Sequence, residues 1–86
     1  MVYNYIDKNN LNEKLTIGPN PANTELKFVN SSSQPLNLSL INSLGQKIIN
    51  FRIDSRAKKI INIKEIPSGV YMIYSEGCFS KKIIIN

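Results

Sequence analysis

The chain has 86 residues, of which 42% are hydrophobic, and it carries a formal net charge of +5. A chain of this length forms one domain and buries only about 60–65% of its unfolded surface, so its hydrophobic core is small. It contains no histidine and a single cysteine, which excludes a disulfide within the chain and leaves a metal site of the His/Cys type almost without ligands.

The positive charge is spread along the chain, with only two adjacent basic pairs, Lys58-Lys59 and Lys81-Lys82. A nucleic-acid interface needs clustered basic side chains with stacking aromatics, so no nucleic-acid partner is predicted. No apolar run approaches the roughly 18 residues of a membrane helix, so the chain is not predicted to span a membrane. The start, "MVYNYIDKNN", lacks the basic and apolar regions of a signal peptide, so an exported protein would carry this chain as a piece of a longer sequence.

The first 14 residues are polar and rich in asparagine, and they are predicted to be a linker or tail. The folded domain is predicted to span residues 15–86. Its first strand covers residues 14–18 and is followed by the Pro-Asn-Pro-Ala segment at residues 19–22, here called the opening block. Proline fixes φ and lacks an N–H donor, so the block ends the first strand and begins a turn.

Alternation of apolar and polar residues predicts the next three strands. The second covers residues 24–30, and in the third, residues 36–41, three leucines alternate with Asn37 and Ser39. Strict period two over this length is typical of a half-buried strand. The segment "NSLGQ" predicts a hairpin in which Gly45 takes a positive φ, leading into a fourth strand at residues 46–53.

Three further strands are predicted at residues 59–63, 70–75 and 79–85, with a corner at "KEIPSG". Seven short strands with local turns and many β-branched residues predict an all-β fold, an immunoglobulin-like antiparallel β-sandwich. The residues predicted to face its core are Leu26, Phe28, Leu36, Leu38, Leu40, Ile48, Ile61, Ile63, Val70, Met72, Ile83 and Ile85. The run of three isoleucines at residues 83–85 requires at least one of them to face outward.

Catalytic groups are scarce in this sequence. The absence of histidine excludes Ser-His and Cys-His arrangements. The six acidic residues fall on predicted turns and outward strand positions, and there is no glycine-rich phosphate loop. The chain is therefore predicted not to be an enzyme and to need neither a cofactor nor a metal.

Four segments in a fixed order resemble a known family. They are "IGPNPA" at residues 17–22, "LINSLGQKI" at 40–48, "IPSGVYMIY" at 66–74 and "SKKIIIN" at 80–86. Their order and spacing resemble the C-terminal sorting domain of the type IX secretion system (the Por secretion system) of Bacteroidetes, in its type A form. The resemblance covers residues 15–86.

The resemblance implies an immunoglobulin-like domain that follows an N-terminal cargo domain and directs it across the outer membrane. Such cargo is exported to the periplasm, and the domain is then recognised by the outer-membrane translocon and its shuttle proteins. A sortase-like cysteine protease typically removes the domain at the cell surface, and the cargo is released or joined to an anionic lipopolysaccharide. Cleavage would fall within residues 1–15, and the domain would act as a signal and a substrate.

The resemblance also assigns recognition positions. They are Pro19, Asn20, Pro21, Ala22, Gly45, Gly69, Val70, Tyr71, Lys81, Lys82, Ile83, Ile84 and Ile85. Each position also has a structural interpretation, such as a turn for the glycines and a core ring for Tyr71. Lys81 and Lys82 are either edge charges that block strand addition or groups that meet an acidic groove.

Two other interpretations stay open. The chain could be an Ig-like or fibronectin-like binding or spacer module of a cell-surface protein, but a glycan site needs grouped aromatics, and Tyr71 and Tyr74 have opposite strand parity. In the sorting-domain interpretation the last strand is the candidate handle, because a receptor can add a strand to a free sheet edge. A homodimer through edge strands would use the same property.

Overall fold

A computed structural model describes residues 14–75 and 79–86 of the chain. The predicted linker, apart from Lys14, and residues 76–78 lie outside the described residues. The described residues form seven strands: β1 (Leu15–Gly18), β2 (Glu25–Asn30), β3 (Leu36–Ile41), β4 (Lys47–Ile53), β5 (Lys58–Asn62), β6 (Gly69–Ser75) and β7 (Phe79–Ile85). All seven predicted strands are confirmed, with bounds that agree to within one residue.

The strands form two antiparallel sheets, so the predicted β-sandwich is confirmed. One sheet has the strand order β1-β2-β5, and the other has the order β4-β3-β6-β7. The fourth strand pairs with β3 rather than with β5, unlike in a constant-type immunoglobulin domain. Consequently β4 and β7 are the edges of the larger sheet.

The core lies between the two sheets and takes apolar residues from both. Its buried members are Leu15, Ile17, Ala22, Leu26, Phe28, Leu36, Leu38, Leu40, Ile53, Ile63, Tyr71, Ile73, Ile83 and Ile85. The rings of Phe28 and Phe51 pack across the sandwich with centroids 4.9 Å apart and planes tilted by 57°. Such tilted aromatic pairs add to the burial free energy of a small core.

Three residues predicted to face the core, Ile48, Val70 and Met72, are instead exposed. The prediction was wrong because β4 and β6 carry apolar residues at both parities, so alternation alone cannot choose the inward face. The inward positions of these strands are set by pairing with β3, which places Ile73 opposite Leu40 and Phe51 opposite Leu38. Ile61, also predicted in the core, is only partly buried against it.

One buried polar residue ties a loop to the core. The Asn30 side chain is fully buried and donates to the carbonyl oxygens of Gln34 at 2.9 Å and Asp54 at 3.1 Å. Its oxygen accepts from the N–H of Ser32 at 3.0 Å and from the Ser32 hydroxyl at 2.7 Å. Because its polar atoms are satisfied, Asn30 fixes the loop between β2 and β3 against the end of β4.

Candidate recognition site

The opening block crosses from one sheet to the other. After β1 ends at Gly18, the chain leaves the three-stranded sheet and Ala22 pairs in parallel with Ile85 of β7. The Ala22 N–H donates to the Ile84 carbonyl at 2.7 Å, and the Asn86 N–H donates to the Ala22 carbonyl at 2.8 Å. The peptide bonds before Pro19 and Pro21 are both cis. The block therefore acts as a short added strand on β7.

The Asn20 side chain extends this pairing. Its Nδ2 donates to the carbonyl oxygen of Lys82 at 3.2 Å, and its Oδ1 accepts from the N–H of Ile84 at 3.0 Å. A carboxamide has one acceptor and a pair of donors in the geometry of a peptide group. Asn20 thus supplies the hydrogen bonds that a strand residue would give, at a position flanked by two prolines.

The contacts of Asn20 and Ala22 with Lys82, Ile84 and Asn86 are here called the β7 junction. They satisfy the backbone N–H and C=O groups on the free edge of β7, from the Lys82 carbonyl to the Asn86 amide. A free strand edge would be open to pairing with another chain. A receptor strand can add to this part of β7 only by displacing the opening block.

The β6–β7 hairpin brings two of the four family-like segments into register. Gly69, Val70 and Tyr71 lie opposite Ile85, Ile84 and Ile83, respectively. The Tyr71 ring is buried, and its hydroxyl donates to the Pro67 carbonyl at 2.6 Å. A tyrosine at the start of the sixth strand that bonds back to the preceding corner is a hallmark of immunoglobulin-like sandwiches. Tyr71 therefore secures the hairpin to its corner.

The last strand presents its side chains alternately. Ile83 and Ile85 are buried, whereas Ile84 is 38% exposed on the outward face. Lys82 lies opposite Met72 and shares that outward face, while Lys81 lies opposite Ile73 and has the inward parity. Both lysine side chains are exposed, so both are open to contact from a partner.

Comparison with known families identifies this chain. The sequence model of the secretion system C-terminal sorting domain matches residues 16–86. The chain belongs to this family. Comparison with curated proteins and with solved structures gave no significant match. The resemblance to the type IX sorting domain is thereby confirmed, and the chain is a targeting module of a type IX cargo protein rather than a member of a catalytic family.

The sorting domain places Gly45 apart from the β7 junction. Gly45 has φ of +83° in the hairpin between β3 and β4, a conformation that favours glycine. The Asn42 side chain holds this turn by accepting from the N–H groups of Leu44 at 2.9 Å and Gln46 at 3.0 Å. Gly45 thus has a sufficient structural role in the turn.

Most of the other predicted recognition residues of the sorting domain come together at β7. The opening block, the Gly-Val-Tyr segment and the Lys-Lys-Ile-Ile-Ile segment are joined by the β7 junction and by the β6–β7 register. Pro19 and Pro21 are exposed on either side of Asn20. The recognition role of these residues stays a prediction.

Sequence reasoning missed the link between the two ends of the sorting domain. Asn20 and its partners are 62 and 64 positions apart, and nothing local to the opening block indicates where its side chain binds. An asparagine between two prolines was the available signal, because the prolines remove backbone donors that a side chain can replace.

The described part of the sorting domain lacks the features of several other functional classes. Across residues 14–75 and 79–86, no helix is long and apolar enough to span a membrane, and no three of His, Cys, Asp and Glu are grouped as metal ligands. Tyr71 is buried and Tyr74 is half-buried on the outward face, so they do not form the exposed aromatic group that a glycan site would need.

Proposed function

We propose that the domain is read by the secretion machinery as a folded signal centred on the β6–β7 hairpin, with the opening block as its positioning element. The observation that carries the proposal is the convergence of three family-like segments on β7. Two of them pair along the hairpin, and the third binds the edge of β7 through Asn20 and Ala22. A receptor can recognise a signal of this kind after folding, because the signal lies on the surface of the folded domain.

The family supports a role in the export of a cargo protein to the cell surface or the extracellular space. On this proposal the outer-membrane translocon and its shuttle proteins bind the domain after the cargo has reached the periplasm. Lys81 and Lys82 are exposed on the terminal strand, where an acidic groove can meet them. Charged groups of this kind contribute chiefly to the rate and specificity of encounter.

A sortase-like protease is proposed to cut the chain within residues 1–15. Residues 1–14 of that segment are polar and precede β1, which begins at Leu15, so a cut before Leu15 leaves the sandwich intact. The opening block would then be the folded side of the boundary, and the cargo would be released or joined to lipopolysaccharide.

A reporter fusion tests the proposed function. The 86-residue chain is fused behind a signal peptide and a reporter, and the fusion is expressed in a Bacteroidetes host with a type IX system and in the same host without the translocon. Surface delivery, measured by protease accessibility of the reporter on whole cells, is expected in the first host only. Periplasmic retention in the first host, or delivery in the second, would contradict the proposal, and retention is what a binding or spacer module predicts.

The terminal lysines can be tested in the same fusion without disturbing the core. Deletion of residues 81–86 is expected to abolish delivery, but it also removes the buried Ile83 and Ile85. Lys81→Ala and Lys82→Ala avoid this, and each is expected to lower delivery while the thermal unfolding midpoint is unchanged. Lys58→Ala, an exposed lysine of β5, serves as the control. If both variants are delivered as well as this control, the two lysines are not part of the recognition surface.

A further inference from the structure

The outward face of the four-stranded sheet is divided into an apolar half and a polar half. The register of β3, β6 and β7 aligns Val70 with Ile84 and Met72 with Ile41, and the bulged part of β4 adds Ile48. These five residues are here called the apolar half-face. The half-face crosses the sheet from one edge strand to the other.

Four of the five residues of the apolar half-face are exposed to solvent, and Ile41 is half-buried. Val70 is 51% exposed, Ile48 43%, Met72 40% and Ile84 38%. Scattered single apolar residues on a surface need no explanation, whereas a contiguous patch marks an interaction site. The register makes this set contiguous, so it is a candidate docking surface.

The polar half provides a rim for such a surface. It continues along the same strands through Asn37, Ser39, Asn50, Arg52 and Tyr74, which line a shallow groove of about 780 Å³. The hydroxyl of Ser39 donates to Asn50 Oδ1 at 2.7 Å. An apolar centre with a polar, hydrogen-bonding rim is the usual anatomy of a protein–protein interface.

The charge on this face has one sign. Among its described outward strand positions there is no carboxylate. Lys82 lies level with Met72, and Lys47 lies opposite Ile41 at the other edge. Arg52 is paired with Asp54 of the following turn at 3.2 Å. The outward face of the three-stranded sheet instead alternates Glu25 with Lys27. A partner for the four-stranded sheet therefore gains from a carboxylate placed near Lys82.

We propose that the apolar half-face docks a protein surface of the export apparatus that is apolar at its centre and bears a carboxylate opposite Lys82. The inference rests on the proposed function and names the face of the hairpin that is read. It also gives Val70, Ile84 and Lys82 a shared role, because all three point outward on adjacent strands. Ile83 and Ile85, by contrast, act in the core.

The size of the half-face favours this occupant. Four strands and two levels of side chains span roughly 20 by 15 Å, or about 300 Å², whereas each partner in a standard interface buries about 800 Å². Contact through this face alone is too small for a stable dimer and fits a short-lived contact with machinery that passes cargo onward. The two lysines of this face, Lys47 and Lys82, are also fewer than the cluster of about four to eight basic residues by which anionic membranes hold basic proteins.

The test uses the reporter fusion of the full chain and compares the two sheets. Val70→Thr with Ile84→Thr removes apolar surface from the half-face while keeping β-branched side chains. Ile60→Thr is the matched control, since Ile60 is 56% exposed on the outward face of β5. The double variant is expected to lower surface delivery about tenfold, equivalent to about 1.4 kcal/mol, while the control stays at the unsubstituted level.

Charge reversal gives a second arm. Lys82→Glu is expected to lower delivery several-fold because it places a carboxylate opposite that of the partner. Lys58→Glu, on the other sheet, is expected to leave delivery unchanged. Met72→Gln provides a further single variant of the half-face if the double variant does not fold, as judged by thermal unfolding of the purified chain.

The outcomes separate this inference from the proposed function. If the unsubstituted fusion is not delivered, the proposed function fails. If it is delivered, and folded half-face variants match Ile60→Thr, the inference alone is overturned. The inference is equally overturned if sedimentation shows that the half-face joins two copies of the chain, or if vesicles of phosphatidylglycerol bind the chain through it.

Discussion

The two sheets of the sorting domain contribute to one core but differ in their outward faces and in their edges. The three-stranded sheet turns a mixed-charge face to solvent, with Glu25 beside Lys27, and contributes Leu26 and Phe28 to the core. The four-stranded sheet carries the apolar half-face and has its β7 edge covered by the opening block.

This difference indicates where the signal lies. A core can be built from either sheet with any well-packed apolar residues, so core composition carries little information for a receptor. An exposed apolar surface lowers solubility, and covering a strand edge takes additional residues, so neither feature is expected unless it has a role. Both are found on the four-stranded sheet, which therefore presents the more informative surface.

The largest effect is expected from separating the two faces of β7. Ile83→Ala is expected to lower the free energy of unfolding by about 2–5 kcal/mol, because it leaves a cavity in place of a fully buried side chain. Ile84→Ala, one residue along, is expected to cost less than about 1 kcal/mol, since this side chain is 38% exposed. Urea unfolding of both variants measures this contrast. Equal losses of unfolding free energy would contradict the assignment of Ile83 to the core and Ile84 to the outward face.

A smaller effect is expected at the edge of β7. Asn20→Ala removes two hydrogen bonds to the backbone of β7 and is expected to cost about 1 kcal/mol. For a domain of this size that lowers the unfolding midpoint by about 4–8 °C. Asn37→Ala, an exposed asparagine of β3, is the matched control in thermal unfolding, and a loss of the same size there would remove the special role of Asn20.

The smallest effect on stability is expected on the outward faces themselves. Val70→Thr on β6 and Ile60→Thr on β5 replace side chains that are more than half exposed, so each is expected to change the free energy of unfolding by less than about 0.5 kcal/mol. Comparing their unfolding midpoints checks this directly. A large loss for Val70→Thr would mean that this residue supports the fold rather than a partner.

Much of the fold could be predicted from local patterns. Leu36, Leu38 and Leu40 alternate with polar residues, and each strand is bounded by a turn with a clear chemical signal, such as Gly45. These signals are local, so seven strands and their bounds were readable from sequence. The facing of β4 and β6 was not, because residues such as Ile48 and Ile49 offer apolar side chains at both parities and only pairing with β3 chooses between them.

The family resemblance proposes members of the candidate site, but it does not give their geometry. The family resemblance named the opening block and the final strand, yet it gave no contact between Asn20 and the backbone of Lys82 and Ile84. Such a contact depends on how the chain crosses between the sheets, which is a tertiary property. Ala22 was likewise named by the family resemblance, and only the fold shows that it is buried and paired with Ile85.

Amide hydrogen exchange at Ile84 tests the central claim, that the opening block and the last strand form one unit. In the unsubstituted chain the Ile84 amide is expected to be protected, because it donates to Asn20 Oδ1 and not to water. Asn20→Ala is expected to raise exchange at Ile84 selectively, while the amide of Phe28 inside β2 is unchanged. Exchange at Ile84 as fast as in an unfolded peptide, before any substitution, would contradict the claim.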